Sequence, residues 1–117
     1  MNFPKLVSSF KIAFSGFKTA FKTEQTFRAQ IYIASLVLFL MFYLPLELNE
    51  RIFLLFAIFL VLAFELVNSQ IERILDFINP TFHPKIQLIK DLSAAAVLII
   101  SIGSAIIGIL IFLPYFI

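Results

Sequence analysis

The chain has 117 residues, of which 62% are apolar and only 14% are charged. This composition excludes a soluble globular domain, because too few ionic side chains remain to cover a water-exposed surface. The absence of cysteine and the single histidine exclude a disulfide framework, a thiolate zinc site and a multi-histidine metal centre. A net charge of +2 is too small for a nucleic-acid-binding protein. We therefore expect an all-α membrane protein that has no nucleic-acid partner.

Residues 3–22 form the first predicted element, an amphipathic helix that lies in the membrane interface. Its phenylalanines recur at helical spacing on one face, and Lys11, Lys18 and Lys22 cluster beside that face. The aromatic face would contact the acyl boundary of the bilayer, and the lysines would contact anionic headgroups. A helix of this type can also be a simple anchor without a chemical role.

Three apolar segments follow, and each is long enough to cross the bilayer as a helix. Span one is predicted at 28–46, span two at 51–78 and span three at 86–115. Together with the interfacial helix, they make residues 1–117 a single membrane domain. Every cation except Arg51 flanks one side of the spans, which the positive-inside rule identifies as cytoplasmic. The N-terminus is therefore predicted to lie inside.

A polar stripe runs along one face of span two, because its members recur at spacings of three and four residues. The members are Glu65, Asn68, Glu72 and Asp76, with Ser69 beside them. An acid within a spanning segment costs about 2.5–3.5 kcal/mol on insertion scales, so the stripe needs partners, water or a ligand. Glu72 and Asp76 are predicted to reach the cytoplasmic interface, and Glu65 to lie just inside the hydrocarbon edge. A base at Glu65 can therefore meet the hydroxyl of a lipid alcohol.

Other charged residues are predicted at the same cytoplasmic level. Glu24 lies at the joint between the interfacial helix and span one, where it can approach the level of Glu72. Two carboxylates there suit Mg²⁺, a hard cation that takes oxygen ligands and commonly fills its shell with phosphate oxygens. Lys90 and Asp91, at the start of span three, would add a cation for phosphate and another acid. Lys90 can equally be a charge that only orients the span.

The same residues also allow interpretations without catalysis. The stripe can be a polar seam between helices of a membrane assembly subunit, with Asn68 and Ser69 bonding across an interface. It can also line a cation pathway through an oligomer. A lone loop histidine such as His83 is commonly a surface group, and Arg28 is commonly a snorkelling anchor. Arg73 can be no more than a positive-inside residue.

The sequence of residues 65–76 resembles the signature of the small integral-membrane prokaryotic diacylglycerol kinase and undecaprenol kinase family. That signature, E-x-x-N-[ST]-x-[IV]-E-x-x-x-D, is met at every fixed position. Further matches are Gly16, the stretch from Lys22 to Arg28, the loop Phe82-His83-Pro84, and Lys90-Asp91 with the alanine-rich run to Leu98. The resemblance covers nearly the whole chain, including the order of interfacial helix and three spans.

This resemblance implies ATP-dependent phosphorylation of a membrane lipid alcohol by a homotrimer with sites shared between subunits. It implies a cytoplasmic-side site in the bacterial cytoplasmic membrane, with Glu65 as general base and Mg²⁺ held by Glu24 and Glu72. The implied nucleotide-binding residues are Lys5, Glu24, Asn68, Glu72, His83, Lys90 and Asp91. Supporting polar roles fall to Ser69, Asp76 and Arg28.

Two lipid substrates are compatible with the resemblance. The His83-Pro84 pair and the tail from Gly108 to Pro114 look like the undecaprenol kinases, which favours undecaprenol as substrate and undecaprenyl phosphate as product. Ala29-Gln30 departs from the pattern of that branch. The alternative is a diacylglycerol kinase that produces phosphatidic acid.

Overall fold

A computed structural model describes all residues from Met1 to Ile117, and the chain folds into four α-helices. These are α1 (Phe3–Thr23), α2 (Gln25–Tyr43), α3 (Leu48–Ile78) and α4 (Pro84–Phe116). By length and composition, α2, α3 and α4 can each cross a membrane. The prediction of an all-α membrane protein, with an N-terminal amphipathic helix and three transmembrane helices, is confirmed.

Local capping explains where the helices begin. Asn2 accepts a hydrogen bond from the Lys5 backbone at the start of α1. Glu50 accepts one from the backbone N–H of Glu47 at 2.9 Å, so α3 begins at Leu48 rather than at residue 51. At the start of α4, His83 Nδ1 accepts from the Lys85 backbone at 3.1 Å. Each cap satisfies a backbone donor that the first helical turn leaves unpaired.

A proline accounts for the end of α2, and a residue with an extended backbone separates α1 from α2. Helix α2 ends at Tyr43, before Pro45, so the last three residues of the predicted span 28–46 are not helical. The boundary between α1 and α2 is a single residue, Glu24, in an extended conformation. Its side chain makes no capping hydrogen bond, which leaves the carboxylate available to other partners.

Helix α3 is the central element, and it packs against both α2 and α4. Its buried residues recur every three or four positions and form one face: Leu54, Ala57, Val61, Glu65 and Ser69. Helix α2 buries Phe27, Ala34 and Met41. The α3 face is apolar from Leu54 to Val61 and becomes polar at Glu65, so one continuous buried face ends in the predicted site.

Contacts between helix ends stabilise the end of the bundle at which α3 begins. Tyr115, in the last turn of α4, donates to Glu50 Oε1 at 2.8 Å. Arg51 Nη2 donates to the carbonyl oxygen of Leu44 at 3.4 Å. These contacts fix α4 and the α2–α3 connection to the start of α3, far from the polar end of the buried face.

Most of the apolar surface is not covered within the chain. Helix α4 buries no residue, and α1 buries only Ala20. Phenylalanines on α1 remain open, with Phe10 60% and Phe14 70% exposed. Apolar surface of this extent is stable only against lipid or another protein surface. The exposure pattern is that of a membrane-embedded protein.

Candidate functional site

Glu65 lies at the polar end of the buried face of α3. It is only 5% exposed, and its carboxylate accepts no hydrogen bond from any other group of the chain. An acid at this depth needs a partner from outside the chain, because desolvation without hydrogen bonds is costly. The position suits a carboxylate that interacts with a membrane-borne ligand.

Asn68 lies one turn after Glu65 in the stripe, and its amide contacts the next acid, Glu72. Its Nδ2 donates to Glu72 Oε1 at 3.3 Å, while its Oδ1 is buried and has no donor. A buried acceptor without a partner costs about 1–3 kcal/mol. The missing donor must come from a ligand, from water or from another subunit, so this part of the stripe is incomplete within one chain.

The structure brings Glu24 to α3 through an ion pair that the sequence did not indicate. Arg73 Nη2 lies 2.7 Å from Glu24 Oε1, and Arg73 Nε lies 3.2 Å from the same oxygen. Arg73 Nη2 also donates to Thr23 Oγ1 at 2.7 Å. The joint between α1 and α2 is thereby fixed to α3 one residue beyond Glu72.

Arg73 is thus a residue of the candidate site to which sequence reasoning assigned an orienting charge at most. Its charge was the one available signal. Residues 24 and 73 carry opposite charges and lie at neighbouring ends of two predicted spans. Only the rotation of α3 about its axis decides that the arginine, rather than a stripe residue, faces Glu24.

A polar cleft of about 490 Å³ lies between α1 and α3, and we call it the α1–α3 cleft. Its polar lining consists of Ser15, Thr19, Glu24, Ser69, Gln70 and Arg73. Gly16 also lines it, and a Cβ atom added there would meet nothing within 4 Å. Hydroxyl, amide and guanidinium groups around open space can bind a polar ligand with several oxygens.

Lys90 and Asp91 adjoin the stripe at the start of α4. Lys90 Nζ pairs with Asp76 Oδ1, the last acid of the stripe. Asp91 Oδ1 accepts from Gln87 Nε2 at 2.9 Å, one turn earlier on α4. Lys90 therefore contacts the stripe through Asp76. The Asp91 side chain instead forms its hydrogen bond within α4.

Three other predicted residues make no contact with the stripe: two have local contacts and one has none. His83 Nδ1 caps α4. Arg28 Nη1 donates to the carbonyl oxygens of Phe21 at 2.9 Å and Lys22 at 3.3 Å, which satisfies the C-terminal turn of α1. The Lys5 side chain makes no hydrogen bond or ion pair within the chain. These residues are not assembled with Glu65 by one chain alone.

The donor chemistry of the acids fits Mg²⁺ in part. Glu24 and Glu72 each accept hydrogen bonds at one carboxylate oxygen only, so one hard oxygen of each remains unbonded. No cluster of three or more His, Asp or Glu side chains forms anywhere in residues 1–117. Mg²⁺ is commonly held by one or two carboxylates together with substrate phosphates, and each of these acids offers an oxygen of the kind that Mg²⁺ binds.

Residues 11–112 match the family described as prokaryotic diacylglycerol kinase. A diacylglycerol kinase of Haemophilus influenzae is 35% identical over 94 residues, which cover 80% of this chain and 80% of that protein. An undecaprenol kinase of Bacillus subtilis is 34% identical over 110 residues, covering 94% and 89%. A diacylglycerol kinase of Helicobacter pylori is 34% identical over 97 residues, covering 83% and 76%.

The matches identify the chain as a phosphotransferase that acts on an alcohol, and a helical fold with three apolar helices long enough to cross a membrane agrees with them. The chain belongs to the prokaryotic diacylglycerol kinase family. It is an enzyme of lipid metabolism, and the resemblance noted from the 65–76 signature is confirmed. Membership of this family favours a lipid kinase over an assembly subunit or a cation pathway.

Proposed function

We propose that the protein transfers the γ-phosphate of ATP, as its Mg²⁺ complex, to the hydroxyl of undecaprenol at the cytoplasmic face of a bacterial cytoplasmic membrane. The observation that carries the proposal is Glu65, a buried carboxylate without an in-chain partner at the border between apolar and polar parts of the α3 face. Family membership supplies the reaction class.

Undecaprenol is supported by the His83-Pro84 pair, the tail from Gly108 to Pro114, and the match to the Bacillus subtilis undecaprenol kinase over 94% of this chain. Diacylglycerol is the second candidate substrate. It is favoured by the names of the Haemophilus influenzae and Helicobacter pylori relatives. Both lipids present a hydroxyl near the membrane surface, so the same base serves either.

Glu65 is the proposed general base. It takes the proton of the lipid hydroxyl as that oxygen bonds to the γ-phosphorus, and the bond from phosphorus to the ADP oxygen breaks. Proton removal by a positioned carboxylate contributes a factor of about 10² to 10⁴ in rate. Burial beside Val61 and Ser69 suits this role, because the apolar end of the face can take the lipid chain while the polar end receives phosphate.

Neutralising phosphate charge is the second task, since phosphoryl transfer depends on positioning and electrostatics more than on covalent chemistry. Glu24 and Glu72 are proposed to hold Mg²⁺ through their unbonded oxygens. When bound, the ion would screen the phosphate charge. Lys90 adds a cation at the end of the stripe, and Asn68 Oδ1 can accept from a ligand hydroxyl or a bound water.

The α1–α3 cleft is the proposed place for part of the nucleotide. Glycine within a helix is less favourable than alanine by about 0.5–1 kcal/mol, and packing inside the chain does not require Gly16. Open space at this position is useful if a ligand approaches the helix backbone closely. The polar lining of the cleft is consistent with nucleotide oxygens as that ligand.

A homotrimer with shared sites is part of the proposal. Glu72 and Arg73 are consecutive on α3, so their side chains project about 100° apart. The α1–α3 cleft and the acidic stripe therefore lie on adjoining faces of α3, and no residue of α4 is fully buried within its own chain. A second subunit placed against the stripe would enclose the site and could supply a partner for Asn68 Oδ1.

The test is transfer of ³²P from MgATP in mixed micelles that contain either undecaprenol or diacylglycerol. Label in undecaprenol supports the proposal, and label in diacylglycerol alone selects the second candidate. No label in either lipid overturns the lipid kinase assignment.

Two variants complete this experiment. Glu65→Gln is expected to lose transfer while keeping the oligomer seen by size-exclusion chromatography. Glu47→Gln changes an exposed acid at the far end of α3 and serves as the matched control. Full activity of Glu65→Gln would show that Glu65 is not the base.

A further inference from the structure

Arg73 lines the α1–α3 cleft, together with Ser69 and Thr19. We propose that Arg73 binds phosphate oxygens of the nucleotide, and that Glu24 and Thr23 hold its guanidinium in place for this purpose. The inference rests on the proposed kinase function. It names a phosphate-binding residue in addition to Lys90.

The contacts of Arg73 fix one edge of its guanidinium. Nε and Nη2 both donate to Glu24 Oε1, and Nη2 donates again to Thr23 Oγ1. Thr23 Oγ1 in turn donates to the carbonyl oxygen of Thr19 at 2.7 Å. The arginine is therefore held by the joint between α1 and α2, and this joint forms one end of the cleft.

One nitrogen of the guanidinium, Nη1, is free. An arginine carries five N–H donors, and those on Nη1 have no acceptor within the chain. The side chain is 56% exposed, although it is anchored at three hydrogen bonds. An anchored guanidinium with two free donors, on a residue that lines the cleft, can donate to a phosphate oxygen.

A purely structural role explains less of this arrangement. Ion pairs with this degree of exposure contribute little to folding stability. Lysine at position 73 could neutralise Glu24 equally well, but its ammonium would not hold free donors in a fixed plane for a ligand.

The charges at this end of the chain also favour an anion. Arg73 already neutralises Glu24, so a phosphate placed against Nη1 does not face an unpaired carboxylate. Glu24 Oε2 accepts no hydrogen bond and stays available on the same side chain. One residue can thus hold the arginine with one oxygen and contribute the other oxygen to a cation.

The experiment compares Arg73→Gln, Arg73→Lys and Thr23→Val in the full-length protein in micelles. The kinetic readout is KM for MgATP and for the lipid alcohol. The second readout is equilibrium binding, measured as displacement of a fluorescent ATP analogue by MgADP and by AMP. Thermal unfolding reports stability.

Arg73→Gln is expected to raise KM for MgATP at least tenfold, with KM for the lipid unchanged. It should weaken MgADP binding more than AMP binding, because AMP lacks the β-phosphate. Arg73→Lys should recover part of the loss, since it keeps the charge but not the fork. Thr23→Val, which removes one anchor but not the charge, should raise KM for MgATP by less than Arg73→Gln does and leave KM for the lipid unchanged.

Two results would overturn the inference while leaving the kinase intact. One is an active wild type in which Arg73→Gln binds both nucleotides normally. The other is a Thr23→Val variant that reproduces every effect of Arg73→Gln together with a matching loss of thermal stability, which would make the contact structural only. If the wild type itself phosphorylates neither lipid and binds no MgADP, the proposed function fails and this inference fails with it.

Discussion

Lys90 Nζ pairs with Asp76 Oδ1 across the turn between α3 and α4, joining the first turns of α4 to the last acid of the stripe. The lysine side chain is 27% exposed and the aspartate side chain is 61% exposed, so the contact is not buried within the chain. Its contribution to stability is about 0–1 kcal/mol, as for other exposed ion pairs. The pair is therefore better understood as a way of directing the lysine toward the stripe.

Replacing Lys90 by Met should impair the use of nucleotide. A charge-assisted contact to phosphate contributes about 1.5–3 kcal/mol, so kcat/KM for MgATP is expected to fall at least about tenfold. Steady-state kinetics at saturating lipid measure this. Asp76→Asn is the control, because it leaves the cation in place, and its effect should stay within a few-fold. Equal losses in both variants would mean that the pair itself matters rather than the lysine charge.

Glu72→Gln should change the response to metal. The substitution keeps the hydrogen bond from Asn68 possible but removes a carboxylate charge from the proposed Mg²⁺ ligands. The Mg²⁺ concentration for half-maximal activity is expected to rise about tenfold or more, which corresponds to about 1.4 kcal/mol. A magnesium titration at fixed ATP gives the value. An unchanged titration curve would remove Glu72 from the ligand set.

Gly16→Ala distinguishes an effect on helix stability from an effect on the space that a ligand occupies. Alanine is more favourable than glycine in a helix by about 0.5–1 kcal/mol, and the added methyl meets no atom of the chain. We expect a small gain in thermal stability together with a raised KM for MgATP. Gly103→Ala in α4, where the added atom also meets nothing within 4 Å, should give the stability gain alone. Unaltered nucleotide kinetics in Gly16→Ala would argue that the nucleotide does not occupy this cleft.

Tyr115→Phe tests the opposite end of the bundle. It removes the 2.8 Å hydrogen bond to Glu50 and should lower the denaturant midpoint of unfolding slightly. Denaturant unfolding in micelles measures the change. Specific activity of the folded protein should be unaltered, because this contact lies at the end of α3 remote from Glu65. A selective loss of activity without a loss of stability would contradict the cytoplasmic placement of the site.

Much of the fold follows from local properties of the sequence. Long uncharged segments predict spanning helices because the backbone must satisfy its own hydrogen bonds in lipid. The 3.6-residue period alone aligns Glu65, Asn68 and Glu72 on one face, whatever the neighbours are. The helical period did not predict that Glu65 is buried, because the period does not determine which face of α3 packs against α2.

The tertiary structure decided the pairings. Glu24 and Arg73 are 49 residues apart, and Lys90 and Asp76 are 14 residues apart. Each contact depends on how far α3 is rotated about its axis and on its register with neighbouring helices, and these are set by packing at Phe27, Ala57 and other buried positions. Sequence determined which residues carry charge and which helix face they share, because both are properties of one helix. Which opposite charge each one meets is a property of two helices packed together, and only the folded chain determines it.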